Sequence, residues 1–274
     1  MLRRRERTER LSGHTRLAVE RGPVPNRANY EDKNGVRGIA SATLESVRRL
    51  AKSALAVYAY QPTGTESEEY HKWYYNTFVW KKTTWMGIPC WKSVSDMWNY
   101  QEILFDLKPS LVIEFGTNRG GSALFFANIL RQLGRPFKVL SVDVNHGPLE
   151  SKARGDSDIL FIESSSTAPA IADHIQRLKS EFPGKIFAIL DSDHSMNHVL
   201  GEMKLLRPLL SSGDYLIVED STVNGHPVLL GWGPGPYEAI EAYELEYPND
   251  YRHDSARENK FGFTFAPNGF LIRN

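Results

Sequence analysis

The residues best equipped for chemistry are acids at the ends of two apolar runs. KIFAIL (185–190) leads into Asp191-Ser192-Asp193-His194, and YLIV (215–218) leads into Glu219-Asp220. If both runs are parallel strands of one sheet, their carboxyl ends share an edge and the acids meet there. Grouped carboxylates repel one another, and a hard divalent cation relieves the repulsion. Asp191, Glu219 and Asp220 are therefore the expected ligands of Mg²⁺ or a similar ion, with positions left for water or two substrate hydroxyls. A hydroxyl bound to such an ion gives up its proton more readily. His194, three residues after Asp191, is the expected base near neutral pH. Asp193 joins the expected catalytic pair; it can orient His194, act as a ligand, or cap the next helix. His198 follows His194 by four residues, which leaves a Zn²⁺ or iron pair open. No His-x-Asp or His-x-Glu pair for an iron facial triad occurs in the sequence.

A second constellation belongs to a cofactor. LVIEF (111–115) runs through Glu114 into Gly116-Thr117-Asn118-Arg119-Gly120-Gly121-Ser122. Gly116 permits a tight turn and close approach of a ligand. Gly120, Gly121 and Ser122 open a helix whose free N–H groups can meet a polar ligand. Asp143, ending KVLSVD (138–143), is placed to accept hydrogen bonds from ribose hydroxyls. The dinucleotide pattern G-x-G-x-x-G is broken by Asn118 at its middle glycine, which disfavours a pyrophosphate. Glu114, two residues before the first glycine, suits the cationic amino group of S-adenosylmethionine instead. The competing reading is that these glycines only shape a strand–helix turn.

These residues need a scaffold, and the surrounding pattern supplies one. LVIEF, KVLSVD, DILFIE (158–163), KIFAILD (185–191) and YLIVED (215–220) alternate with helical stretches at 122–133, 168–182 and 196–210. Short apolar runs between amphipathic helices predict a doubly wound, Rossmann-like α/β fold with a mostly parallel sheet. Phe261 to Phe265, the turn Pro267-Asn268-Gly269, and Phe270 to Arg273 predict a C-terminal antiparallel hairpin. Three regions are expected: a flexible basic extension over 1–42, a helical, aromatic-rich cap region over 43–108, and the catalytic domain over 109–274. Helical spacing is seen from Thr43 to Tyr60. Five of the six tryptophans fall between Trp73 and Trp98, as a packed layer, a subunit contact or a cap over the substrate. The Gly/Pro-rich stretch 224–236 is expected as a loop over the site, with His226 and Trp232 as contacts, or as a plain connector.

Lys plus Arg equals Asp plus Glu at 33 each, so net charge argues for neither nucleic acid nor an anionic membrane. One cysteine, Cys90, excludes an internal disulfide framework. With no apolar run of about 20 residues and no secretory signal pattern, a cytoplasmic protein is expected.

The runs TTWMGIPCWKSVSDMWNYQEILFDLKPSLVIEFGTNRGGSALFFANIL, LDSDHSMNHVL, VEDSTVNGHPV and GPGPYEAI resemble the cephalosporin hydroxylase and rhamnosyl O-methyltransferase family, over residues 83–274. The resemblance implies a class I methyltransferase that binds S-adenosylmethionine and Mg²⁺. It implies that Glu114, Gly116 and the loop after it hold the methionine part, Asp143 the ribose, and Ser164 and Ser165 the adenine surroundings. It also implies Asp191, Glu219 and Asp220 as ligands and His194 as base. The expected activity is methyl transfer to a hydroxyl of a sugar or polyhydroxylated natural product, by a homo-oligomer. The competing functions are a binding protein that kept the fold without catalysis, and a NAD-dependent oxidoreductase.

Overall fold

The computed structural model describes residues 35–59 and 63–274. Contacts divide the chain into two units, Met1–Gln61 and Pro62–Asn274. In the first unit, helix α1 spans Gly35–Ala59. It begins earlier than the helical spacing predicts, and Leu44, Val47, Leu50 and Leu55 on its expected apolar face are exposed. Tyr60 and the greater part of the expected extension, 1–34, lie outside the described residues.

The second unit contains, in order, α2 (Glu66–Asn76), β1 (Thr84–Trp85), β2 (Ile88–Pro89), α3 (Val94–Leu107), β3 (Leu111–Phe115), α4 (Gly121–Gln132), β4 (Lys138–Asp143), α5 (Ser151–Arg154) and β5 (Ile159–Glu163). These are followed by α6 (Pro169–Glu181), β6 (Ile186–Leu190), α7 (Met196–Leu206), β7 (Tyr215–Val218), α8 (Pro236–Glu246), β8 (Tyr251–His253), α9 (Ser255–Glu258) and β9 (Phe270–Arg273). The main sheet has the order β5-β4-β3-β6-β7-β9-β8. β3 pairs in parallel with β4 on one side and β6 on the other, so the strand order reverses there. That reversal is where an open α/β sheet leaves a crevice for ligands.

Strands β3 and β6 are buried at every residue, as a parallel sheet covered on both faces requires. One face packs on α6, α7 and α8 through Ile171, Ile175, Met203, Ile240 and Tyr243. The other packs on α3 and α4 through Tyr100, Ile103, Leu104, Phe126 and Leu130. In α3 the spacing of Tyr100, Ile103 and Leu104 puts all three on one stripe. Lys108 then takes a left-handed conformation (φ 50°) ahead of Pro109, which stops the helix. Helix α3 is thus built into the core of the second unit.

The C-terminal antiparallel pair is present, but its partners differ from the expected hairpin. β9 pairs with β7 and with β8, whereas 261–265 forms no strand. Phe263 and Phe265 pack instead among Tyr74, Tyr75 and Trp80. The Phe265 N–H donates to the buried Asp96 carboxylate at 2.8 Å, a bond that would otherwise serve a ladder. Tyr74, Tyr75 and Trp80 thus belong to a packed layer, whereas Tyr70, Trp73, Phe78, Trp91 and Trp98 are exposed.

Candidate active site

The carboxyl ends of β3, β4, β6 and β7 open onto a cavity of about 640 Å³. Asp191 follows β6 directly. Its N–H donates to the Phe115 carbonyl at 2.8 Å, and the Gly116 N–H donates to the Val142 carbonyl at 2.8 Å, so three strand tips are stitched together. Gly116 has φ 103°, and a Cβ there would lie 1.9 Å from the Asp191 carbonyl oxygen. Glycine is required at this point.

After β7, residues 219 and 220 turn to opposite sides. Asp220 is held at φ 53°, a region unfavourable to side chains other than glycine, and its carboxylate faces the cavity. His194 Nε2 lies 3.1 Å from Asp220 Oδ2. Among the described residues, Asp191, His194 and Asp220 form the one group whose ligand atoms all lie within 4.8 Å of one another. Burial by itself would lower the basicity of His194; Asp220, Asp191 and Glu219 overcome it and hold its pKa above the ordinary value. Burial pushes the Asp220 carboxyl up to about 7, with His194 acting in the opposite direction.

Glu219, expected as the third ligand, is not in that group. It is 2% exposed. Its Oε1 accepts the Tyr100 hydroxyl at 2.6 Å and lies 3.3 Å from Lys92 Nζ. The strand ends at Val218, and the turn after it directs Glu219 inward to Tyr100 and Lys92 while Asp220 stays at the cavity. Asp193 acts locally: its Oδ1 accepts the Ser195 N–H at 2.8 Å and shapes the approach to α7, although it also lines the cavity. His198 does not join His194. Its Nε2 lies 2.9 Å from Ser166 Oγ and 3.3 Å from the buried Glu202.

Of the expected cofactor residues, Gly116, Asn118, Asp143 and Ser164 line the cavity, while Glu114, Thr117, Gly120, Gly121, Ser122 and Ser165 do not. Asp143 Oδ2 accepts the N–H groups of Thr117 and Asn118, both at 2.9 Å, and Oδ1 accepts that of Asn145 at 3.1 Å. The carboxylate therefore clamps the glycine loop as well as facing the cavity. Added Cβ atoms at Gly120 and Gly121 would strike Leu149, Ala153 and the Pro89 carbonyl. Those two glycines answer to protein packing, as the competing reading allowed.

Glu114 is fully buried, taking hydrogen bonds from Ser122 and, at 2.6 Å, from Ser141. Burial pushes its carboxyl up to about 7 from an ordinary 4.5, against the opposing pull of Lys92 and the two hydroxyls. The folded chain thus keeps a proton that the unfolded chain releases between those values. The contribution of this group to stability falls as pH rises through that window and is flat above it. Between about pH 5 and about pH 8, the Glu114→Gln protein should lose roughly 2–3 kcal/mol less stability than the native chain in urea titrations. Equal losses would show that Glu114 stays ionised throughout.

Ser166, Ser192 and Asn145 also line the cavity without being marked as site residues by the sequence, whereas the Trp80–Trp91 pair, 6.3 Å apart at 83°, comes from the aromatic segment for which a cap over the substrate is one expected reading. The two tryptophans make the aromatic segment a wall of the cavity as well as a packed layer. His226 and Trp232 do not line it. His226 stacks on Tyr237 at 3.8 Å and pairs with Glu238 at 3.1 Å, while Trp232 is exposed.

A mostly parallel sheet, its reversal at β3 and an acid-rimmed cavity define a Rossmann-like methyltransferase fold. Solved CmcI structures share it. One, an apo form, aligns with a TM-score of 0.58 at 21% identity, covering 70% of this chain and 76% of that one. Another, described as Mg-SAM, aligns at 0.58 and 20%, covering 71% and 77%. Residues 77–274 match the family Rhamnosyl O-methyltransferase/CmcI, and the chain belongs to it. The curated rhamnosyl O-methyltransferase of Mycobacterium bovis (strain BCG / Pasteur 1173P2) is 73% identical over 82% of this chain and 92% of its own length. That of Mycobacterium leprae (strain TN) is 69% identical over 84% of this chain and all of its own. Membership makes the enzyme class that of an O-methyltransferase, as the sequence reading expects.

Proposed function

We propose that the chain transfers a methyl group from S-adenosylmethionine to a hydroxyl of a rhamnosyl unit on a glycosylated small molecule, with a divalent cation such as Mg²⁺. The observation that carries this reading is the convergence of Asp191, His194 and Asp220 on the rim of the cavity whose floor is Gly116. The names of the curated relatives support the rhamnosyl acceptor, and the Mg-SAM form of CmcI supports the donor and ion.

The residues present fit both groups. Two carboxylates with open positions suit Mg²⁺, which keeps several waters and takes few protein ligands. Asp191 and Asp220 would hold it, with Glu219 supplying charge from behind. The cavity volume lies in the range of cofactor sites, and Gly116, Asn118, Asp143 and Ser164 would line the donor. The bound ion supplies Lewis acidity and the donor supplies an electrophilic methyl. His194 Nε2 takes the proton of the acceptor hydroxyl, and Asp220 stabilises the imidazolium that results. The cavity walls, Trp80 and Trp91 among them, align acceptor with donor and exclude water.

Incubating the purified chain with methyl-labelled S-adenosylmethionine and a rhamnosyl glycoside tests the proposal. Label should appear on the sugar, cease on chelation and return with Mg²⁺. Calorimetry showing binding of neither S-adenosylmethionine nor Mg²⁺, with no label transferred, would end it.

A further inference from the structure

Lys92 takes no part in the mechanism above, yet it is placed with unusual care. It lies just before α3 and is 3% exposed, in a class of residue that is almost never fully buried unless paired. Lys92 also borders a separate, largely apolar cavity of about 390 Å³ with Trp85, Val94, Met97 and Phe125. Its ammonium group is buried between two of the acids. Nζ donates to Asp191 Oδ2 at 2.6 Å and lies 3.3 Å from Glu219 Oε1. Glu219 is itself buried, with the Tyr100 hydroxyl as its other partner.

Four carboxylates, those of 114, 191, 219 and 220, thus surround the strand tips, and Lys92 is the cation paired with two of them. Desolvated like charges cost several kcal/mol each unless compensated. A divalent ion could compensate them, but the chain must fold before the site exists to bind one.

We infer that Lys92 is a positioning residue: a resident counter-ion that pairs Asp191 with Glu219, so that the acidic cluster assembles without metal and presents Asp191 to an incoming divalent cation. This rests on the reading of the cluster as a cation site. The ammonium also repels that cation, so the site trades metal affinity for metal-free integrity.

The test is a double-mutant cycle on the full chain, Lys92→Met with Glu219→Gln, followed by thermal unfolding in EDTA. Lys92→Met should lower Tm by roughly 10 °C. Glu219→Gln should destabilise the native background and stabilise the Lys92→Met background, because it then removes an unpaired buried charge. Lys92→Arg should stay near the native chain. The same effect of Glu219→Gln in both backgrounds overturns the inference, since a lysine needed only for packing would give that result. If Lys92→Met is recovered only together with Glu219→Gln, the inference stands; if the double variant is no more recoverable, it falls. A Mg²⁺ titration by calorimetry completes the test. Lys92→Met, or the double variant in its place, should bind the ion at least about tenfold more tightly than its Lys92 counterpart; unchanged affinity also counts against the inference. Native protein that binds no Mg²⁺ would retire the cation site itself, and the cycle in EDTA, which contains no metal, would then judge Lys92 alone.

Discussion

Turnover by the His194→Ala protein is expected to fall by about 10²–10⁴-fold, the usual contribution of a positioned base, while S-adenosylmethionine binding is retained. The imidazole lines the cavity and pairs with Asp220 at 3.1 Å, but it lies outside the glycine loop proposed to hold the donor. The pH profile gives a second readout. A base acts only when unprotonated, and the neighbouring carboxylates hold His194 above its ordinary pKa of 6.5. Native kcat should therefore climb with pH as the imidazole loses its proton, and the residual activity of the alanine variant should lose that limb. Asp220→Asn offers a contrast, because it removes the partner of the imidazole and, on the proposed function, an ion ligand as well. Its defect should include weaker Mg²⁺ binding, whereas that of His194→Ala should be almost wholly in kcat. An alanine variant within threefold of native turnover would pass the proton to some other acceptor.

How far the sequence discloses this site depends on which interactions are local. The strand tips are legible because β3 and β6 are buried on both faces, so their apolar runs end abruptly at the residues that reach the edge. Gly116, Asp143, Asp191, His194 and Asp220 all follow from that placement. Glu219 does not, because the turn after β7, where Asp220 takes φ 53°, decides which of the two acids meets the cavity. A string of letters shows two adjacent acids, not which of them faces the cavity. Lys92 is less legible still: it reaches Asp191 across 99 positions of sequence, from a loop with no periodic pattern. The C-terminal antiparallel pair forms, but 261–265, expected as its first strand, is not part of it for a similar reason. Alternating aromatics suit a strand, but Phe263 and Phe265 found partners on α2 and beside β1. Glu114 shows the same effect in chemistry. Its position relative to Gly116 matches a cofactor acid, yet the fold encloses it with Ser122 and Ser141.

Gly116→Ala should be the most damaging small substitution at the site. Two separate costs apply there. The first is conformational: φ of 103° is a region that L side chains rarely adopt. The second is steric, since the new Cβ would lie 1.9 Å from the Asp191 carbonyl oxygen and 2.5 Å from its carbon. Those are backbone atoms, and they cannot rotate away as the end of a side chain could. Asp191 is fixed through its N–H to Phe115, and Gly116 through its N–H to Val142. Relief must come from prising β3 away from β6 at their tips, which shifts Asp191 relative to His194 and Asp220. A loss of about 3–5 kcal/mol is expected, with Tm lower by roughly 10 °C and little S-adenosylmethionine binding left in whatever folds. Gly134→Ala is the matched control. It too has positive φ, 64°, but nothing lies within 4 Å of its added Cβ, so it should cost only about 1 kcal/mol. The two variants, compared by urea unfolding and donor calorimetry, separate strain from collision. Equal losses would mean that contact between the strand tips does not hold the acids in place.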